Sequence, residues 1–333
     1  MVGVKQAVVM VGGKGTRLKP LTDTCPKPIL PVLDRPCLDY LIESLVNAGV
    51  KHIILACGYK SEQVPKSIGD GSDRGIKIEY SYEDVPMGTA GAIKLLEDRL
   101  DEVFIAANGD LFAESDITGQ INEHFRTDAC ITIALTPVEN PCEFGIAKVG
   151  DDGRILEFKE KPKPEEVFSN LVNAGIYVVN KSVMKLVPKG QMHDFSKDLV
   201  IELIRRGRRI QSHTMNGLWR DVGRPSDLLG TNMIMAEKKG NHPTSSYAGI
   251  GSKISDSELT SAIVSKDAEI EGSKITESMV MEGSKISDSE LFRSIIGKNC
   301  TISDCVLHGV VLGDGTVMTG KIVSKSSECA ANK

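Results

Sequence analysis

The chain has 333 residues, of which 41% are apolar and 26% charged; this fits about two soluble domains with a sizeable core. A formal net charge of −5 argues against a strongly basic nucleic-acid binder, and no run reaches the ~18 apolar residues of a membrane-spanning helix. The first apolar stretch lacks the basic start and cleavage site of a secretory signal, and the eight cysteines form no Cys-x-x-Cys, so the sequence reads as cytoplasmic with reduced thiols.

Ala7–Val11 reads as a buried strand running into Gly12-Gly13. Residues 37–48 follow with helical spacing, placing Leu38, Leu41, Ile42, Leu45 and Val46 on one face. His52–Ala56, Lys77–Tyr82 and Val103–Ala107 read as further strands, with a second helix over residues 90–100. Strands alternating with helices imply an α/β domain built on a mainly parallel sheet, assigned to residues 1–236. The polar stretch 237–246 reads as a linker.

Beyond it a repeat begins. Gly-Ser-Lys-Ile-Ser-Asp-Ser-Glu-Leu stands at 251–259 and, unchanged, at 283–291. Aliphatic residues reveal half that period: Ile254, Ile270, Ile286 and Ile302 are 16 apart, as are Leu259, Ile275, Leu291 and Leu307, and Val264, Val280, Ile296 and Leu312. Three inward aliphatics per 16 residues describe a parallel β-helix with three short strands per turn, expected over 247–318 as about four turns, with a tail at 319–333.

The chemistry concentrates at the end of the first strand, in Val8-Val-Met-Val-Gly-Gly-Lys-Gly-Thr-Arg-Leu-Lys-Pro-Leu21. Glycines let backbone amides approach phosphate. A P-loop is excluded, because Lys14-Gly15-Thr16 has the wrong order. A dinucleotide fingerprint is excluded by the bulk of Leu18. Lys14, Arg17, Lys19 and Lys27 lie within 14 residues with only Asp23 opposing them, which suits a polyanion such as a triphosphate.

Gly-Gly-x-Gly-Thr-Arg-Leu-x-Pro-Leu-Thr followed by Pro26-Lys27-Pro28 resembles the signature of sugar-1-phosphate nucleotidyltransferases. Val85–Gly91, Asn108-Gly-Asp110, Glu143-Phe-Gly145, Phe158–Pro162, Asn173–Tyr177 and Trp219–Gly223 resemble further family segments, in family order. The resemblance implies a Rossmann-like nucleotidyltransferase domain followed by a left-handed β-helix. It implies transfer of a nucleotidyl group from a nucleoside triphosphate to a sugar-1-phosphate, with no nucleic-acid or membrane partner and with homo-oligomerisation through the β-helix.

By the same resemblance, Gly12, Gly13, Gly15 and Thr16 line the triphosphate, while Gly88 and Thr89 face base and sugar. Arg17 holds the leaving pyrophosphate, a task for a guanidinium fork, and Lys27 lies near the α-phosphate or the incoming sugar phosphate. Gly145, Glu160, Lys161 and Asn173 bind the sugar phosphate. Asp110 and Asp221 hold Mg²⁺, a hard ion suited to carboxylates and phosphates. The segments look most like mannose-1-phosphate guanylyltransferases; glucose-1-phosphate uridylyl- and thymidylyltransferases share them. Two other readings are a non-catalytic nucleotide-sugar sensor on this fold and an acyltransferase in the β-helix, where His308 is the one available histidine base.

Overall fold

The computed structural model describes residues 3–13, 15–58 and 62–324. The chain divides into two units: Met1–Gly13 with Leu38–Trp219, and Lys14–Cys37 with Arg220–Lys333. This division departs from the expected boundary at 236. The segment between Gly13 and Leu38 belongs with the C-terminal half, because its contacts are long-range and leave no local pattern.

The first unit is built on nine strands: β1 (Gln6–Val11), β2 (His52–Cys57), β3 (Lys77–Tyr82), β4 (Val103–Asn108), β5 (Ile131–Pro137), β6 (Gly145–Val149), β7 (Ile155–Glu160), β8 (Leu171–Asn180) and β9 (Ile210–Thr214). The order β7-β6-β8-β4-β1-β2-β3 forms the main path, and β5 joins β8 to β9. β4, β1, β2 and β3 are mutually parallel, while β8 runs antiparallel to β4, β5 and β6. Every residue of β1 is buried, so both of its faces are covered, as expected for a central parallel strand. One face packs Val8, Met10, Phe104 and Ala106 against Ala90, Ile93, Phe195, Leu199 and Leu203 from helical segments. The helix expected over 90–100 is shorter, Gly88–Lys94, and a single tight turn follows at Glu97–Arg99.

His124 is buried in this unit, its ring nitrogens 3.0 Å from Thr132 Oγ1 and Asn180 Oδ1. Burial lowers its pKa, and it also lowers that of His213. A depressed folded value means that the stability contribution is full above the unfolded histidine value of about 6.5 and is lost as pH falls through the folded value. Thermal melts between pH 8 and 5 should therefore show a steeper loss for wild type than for His124→Gln, which cannot titrate; parallel curves would contradict this.

In the second unit the helix Pro225–Lys239 leads into a left-handed parallel β-helix. Its three sheets each hold five short parallel strands. The register is the 16-residue one: Ile254↔Ile270↔Ile286↔Ile302↔Met318 on one side, Leu259↔Ile275↔Leu291↔Leu307↔Val323 on another. Stacking continues past 318. Val317–Thr319 and Ile322–Ser324 are strands, so 319–324 complete a fifth turn and are not tail. The helix Pro225–Lys239 likewise takes the first residues of the expected linker.

The repeated serines have a stacking role. Ser273 Oγ accepts the Ser289 amide and Ser289 Oγ accepts the Cys305 amide, each at 3.0 Å, 16 residues on. Ser278 and Ser294 form a parallel ladder. Each buried serine thus satisfies a corner amide of the next turn that would otherwise be orphaned.

Ile286 is 1% exposed at the centre of this stack, whereas Ser287 is half-buried at its side. Ile286→Asp buries an unpartnered carboxylate and should cost several kcal/mol. Ser287→Asp should melt within a few degrees of wild type. Equal melting temperatures for the two variants would overturn the register.

Candidate functional site

The register of the first unit gathers most of the expected residues on one edge of its sheet. Val11, Cys57 and Tyr82 are aligned across β1, β2 and β3, so Gly12, Gly58 and Glu83 follow side by side. Met10 aligns with Asn108, which puts the Gly109-Asp110 turn beside Gly12. β8 runs the other way, pairing Ile176 with Ala107, and so delivers Asn173–Gly175 to the same edge. Glu160 pairs with Gly145, and Val172 with Ile146, adding both sugar-segment residues. The carboxyl edge of parallel strands is where open α/β sheets take ligands.

Glu83 was not singled out by the sequence, yet its carboxylate lies between Gly12 and Gly58 and accepts the Met87 amide at 3.2 Å. Burial raises its pKa. Gly88 and Thr89 are clamped by a segment about 105 residues later. His193 O accepts the Ala90 and Gly91 amides, each at 2.9 Å. The Thr89 hydroxyl is spent on Asp194 Oδ1 at 3.2 Å and on the Phe195 amide at 2.8 Å. Thr89 thus offers a ligand its position more than its hydroxyl. Asp194 gave no sequence signal, since only the tertiary fold brings it to Thr89.

Gly145 and Glu160 are close enough that an added Gly145 Cβ would come 2.7 Å from Glu160 Oε2. Lys161 adopts a left-handed φ of 46°, with its amide held by Phe144 O at 2.9 Å. Asn173 donates to the Tyr177 hydroxyl at 2.7 Å and accepts the Gly175 amide at 3.0 Å. Burial pushes the Tyr177 hydroxyl up, with Glu160 and Asp194 adding to it after burial. Trp219 donates to Ala174 O at 2.8 Å and meets Phe144 edge-on, framing this end of β8.

The second unit holds the remaining residues. Gly15 has φ of 57° and its carbonyl accepts the Thr22 hydroxyl at 2.8 Å. Thr16 and Arg17 sit exposed on the short turn Thr16–Leu18, anchored by buried Leu18. Lys27 is one-tenth exposed, and its ammonium lies 3.3 Å from Asp221 Oδ1. Arg17 Nη2 lies against Gly223, at 2.9 Å from where a Cβ would stand, and Asp221 Oδ2 is 3.2 Å from the same point. Lys27 and Asp221 therefore meet although they are 194 residues apart, and Arg17 lies nearby against Gly223. Asp110 belongs to the first unit and Asp221 to the second. Lys14 lies outside the described residues.

In the β-helix, His308 stacks edge-on against Phe292 with ring centroids 5.7 Å apart. Among the described residues no helix is long and apolar enough to cross a membrane.

Residues 6–238 match the family model described as Nucleotidyl transferase. The low-salt glycan biosynthesis nucleotidyltransferase Agl11 of Haloferax volcanii is 35% identical over 240 residues, covering 70% of this chain and 67% of that protein. The mannose-1-phosphate guanylyltransferase of Mycobacterium tuberculosis is 35% identical over 67% of this chain and 62% of its own length. The UTP–glucose-1-phosphate uridylyltransferase of Synechocystis is 31% identical over 67% of this chain and 61% of its own length. A crystal structure of HddC from Yersinia pseudotuberculosis complexed with GMP-PN superposes with a TM-score of 0.60 at 26% identity, over 70% of this chain and all of that one.

Gly88 has φ of 71°, and an added Cβ would lie 2.8 Å from His193 O. Gly88→Ala should therefore cost about 1–3 kcal/mol and disturb the 87–91 segment. A Gly88→Ala protein with wild-type melting temperature would contradict the clamp.

Proposed function

The chain belongs to the nucleotidyl transferase family, and on that premise we propose that it is a sugar-1-phosphate nucleotidyltransferase, specifically a mannose-1-phosphate guanylyltransferase. The observation that carries the reading is the pairing of Lys27, on the segment that follows the glycine turn, with Asp221 from far along the chain, with Arg17 close by. Burying a lysine beside an aspartate is a poor way to gain stability, so the pair reads as charge kept for a ligand.

In the proposed reaction a sugar-phosphate oxygen forms a bond to the α-phosphorus while the α–β anhydride bond breaks and pyrophosphate leaves. Two anions must approach, so positioned positive charge dominates. Gly12, Gly13, Gly15 and Thr16 cradle the triphosphate. Arg17 takes pyrophosphate oxygens bidentately, and Lys27 neutralises the phosphate at which the bond forms. Gly88 and Thr89 face the nucleoside; Gly145, Glu160, Lys161 and Asn173 receive the sugar phosphate.

Members of this family generally use a divalent metal; here we assign it as Mg²⁺, held by Asp110 and Asp221. Among the described residues no group of three or more acidic, histidine or cysteine side chains could hold a metal alone. By their chemistry, aspartates suit an ion that takes one or two carboxylates and fills its sphere with substrate phosphates and water. When bound, it supplies charge neutralisation at the phosphates.

The guanine and mannose assignments are supported by relatives carrying that name and by the HddC structure with GMP-PN. The Synechocystis relative keeps glucose-1-phosphate and UTP as the second choice. A non-catalytic sensor would be expected to lose Arg17, a loop glycine or one of the aspartates; all are present.

Pyrophosphate release measured with four nucleoside triphosphates against mannose- and glucose-1-phosphate should be fastest for GTP with mannose-1-phosphate. Asp110→Asn, Asp221→Asn and Arg17→Lys should each lower kcat by about 10²–10³. Near-normal turnover of Asp110→Asn at saturating Mg²⁺ would refute the metal assignment, and that of Arg17→Lys the pyrophosphate assignment.

A further inference from the structure

The segment Lys14–Cys37 has little regular structure of its own. It contains three single helical turns and a two-residue hairpin, Pro31–Val32 with Arg35–Pro36. What fixes it comes from outside. Asn232, fully buried on the helix Pro225–Lys239, accepts the Leu33 amide at 2.6 Å and donates to Pro31 O at 3.1 Å.

The other fastenings come from the β-helix. Asp34 Oδ1 accepts the Lys266 amide at 3.0 Å, and Oδ2 accepts the Tyr247 hydroxyl at 3.2 Å. Gly249 makes room for this, since a Cβ there would overlap the Asp34 carboxylate. Further along, the Thr24 hydroxyl donates to Asp314 Oδ2 at 2.7 Å, while Asp314 Oδ1 accepts the Lys298 amide at 2.8 Å. Lys266 and Lys298 occupy equivalent corners, one residue beyond Ser265 and Gly297. The Lys298 corner takes its acceptor from the β-helix's own next turn. The Lys266 corner takes it from Asp34, a residue of the N-terminal segment.

Lys266 and Asp314 are three 16-residue turns apart, so the two fastenings are separated by about 14 Å at ~4.8 Å per turn. Between Thr24 and Asp34 in sequence lies Lys27. Cys25, adjacent to Thr24, is half-buried, and its desolvation pushes the thiol up to about 11, with Lys298 and Asp314 nearby.

We propose that Asp34 and the Thr24–Asp314 pair are positioning residues for nucleotidyl transfer, through which the β-helix holds Lys27 and Arg17 in place. This rests on the assignment of those two residues to the reaction. The fastenings involve partly exposed groups, so they contribute modestly to folding, yet misplacing a reacting group by about 1 Å costs up to 10²-fold in rate.

The test uses the full chain with Thr24→Val and Asp34→Ala, and Thr24→Ser as the conservative variant. Glu269→Ala serves as control: it removes a β-helix carboxylate paired with Lys253 and Lys285. Thr24→Val and Asp34→Ala should each lower kcat about tenfold, with KM for the nucleotide changed less than about twofold. Alkylation of Cys25 by iodoacetamide, mapped by mass spectrometry, should accelerate in both. Thr24→Ser and Glu269→Ala should match wild type in both readouts. Wild-type kcat and alkylation in Thr24→Val and Asp34→Ala would overturn the proposal, as would an equal kcat loss in Thr24→Ser or in the control. A fully active Lys27→Ala removes the assignment of Lys27 itself and the inference with it. An inactive Lys27→Ala beside normal Thr24→Val and Asp34→Ala overturns the inference alone.

Discussion

A lysine ammonium nine-tenths withdrawn from water, 3.3 Å from a carboxylate, is the constraint around which the second unit is arranged. Desolvating both charges costs several kcal/mol, and their attraction offsets this only with good geometry. The chain must therefore bring Lys27 and Asp221 together and hold them there. It does so by leaving the sheet after Gly13, making an excursion to Cys37, and returning to the same unit only after Trp219. Apolar anchors Leu18, Leu21 and Leu30 bury the excursion, and Asn232 closes its hairpin. Arg17 then comes to lie near the same aspartate.

The first unit solves a different problem, that of gathering side chains with little sequence proximity. Parallel strands in matched register end at one level, so whatever follows each strand shares an edge. Gly12, Gly58, Glu83 and Asp110 arrive there by this rule alone. The antiparallel β8 adds Asn173 by running the other way. Residues from five strand ends thus share one edge although they are far apart in sequence.

This explains what could be read from the sequence. β1, β2 and β4 were legible to within a residue or two because strands buried along most of their length are written as apolar runs, while β3, partly exposed at the sheet edge, was legible without one. The β-helix was legible because each turn repeats its inward aliphatics, and its last turn was missed where Met318 and Val323 end the clean pattern. The glycine turn, Arg17, Lys27 and both aspartates carried motif information. Glu83, Asp194 and Asn232 carried none. Each acts through a partner distant in sequence or through burial, and neither leaves a periodic trace. The contacts that join residues 15–37 to the C-terminal half were not legible for the same reason, since they rest on single side chains such as Asp34 and Asn232.

The clamp on residues 87–91 bears on how substrate preference is encoded. Thr89 uses both its amide and hydroxyl on Asp194, and the His193 carbonyl takes the next two amides. His193 in turn donates its amide to Met87 O at 2.8 Å, so the two segments close on each other. With its polar groups committed, the segment sets a shape more than it supplies free donors. If the nucleoside lies there, as proposed, discrimination between bases comes from where that backbone sits. Its position is fixed by Gln191–Phe195, about 105 residues away, and by the half-buried carboxylate of Glu83. Base preference would then be written partly in a segment that never touches the base, which is why closely related motifs can serve different nucleotides.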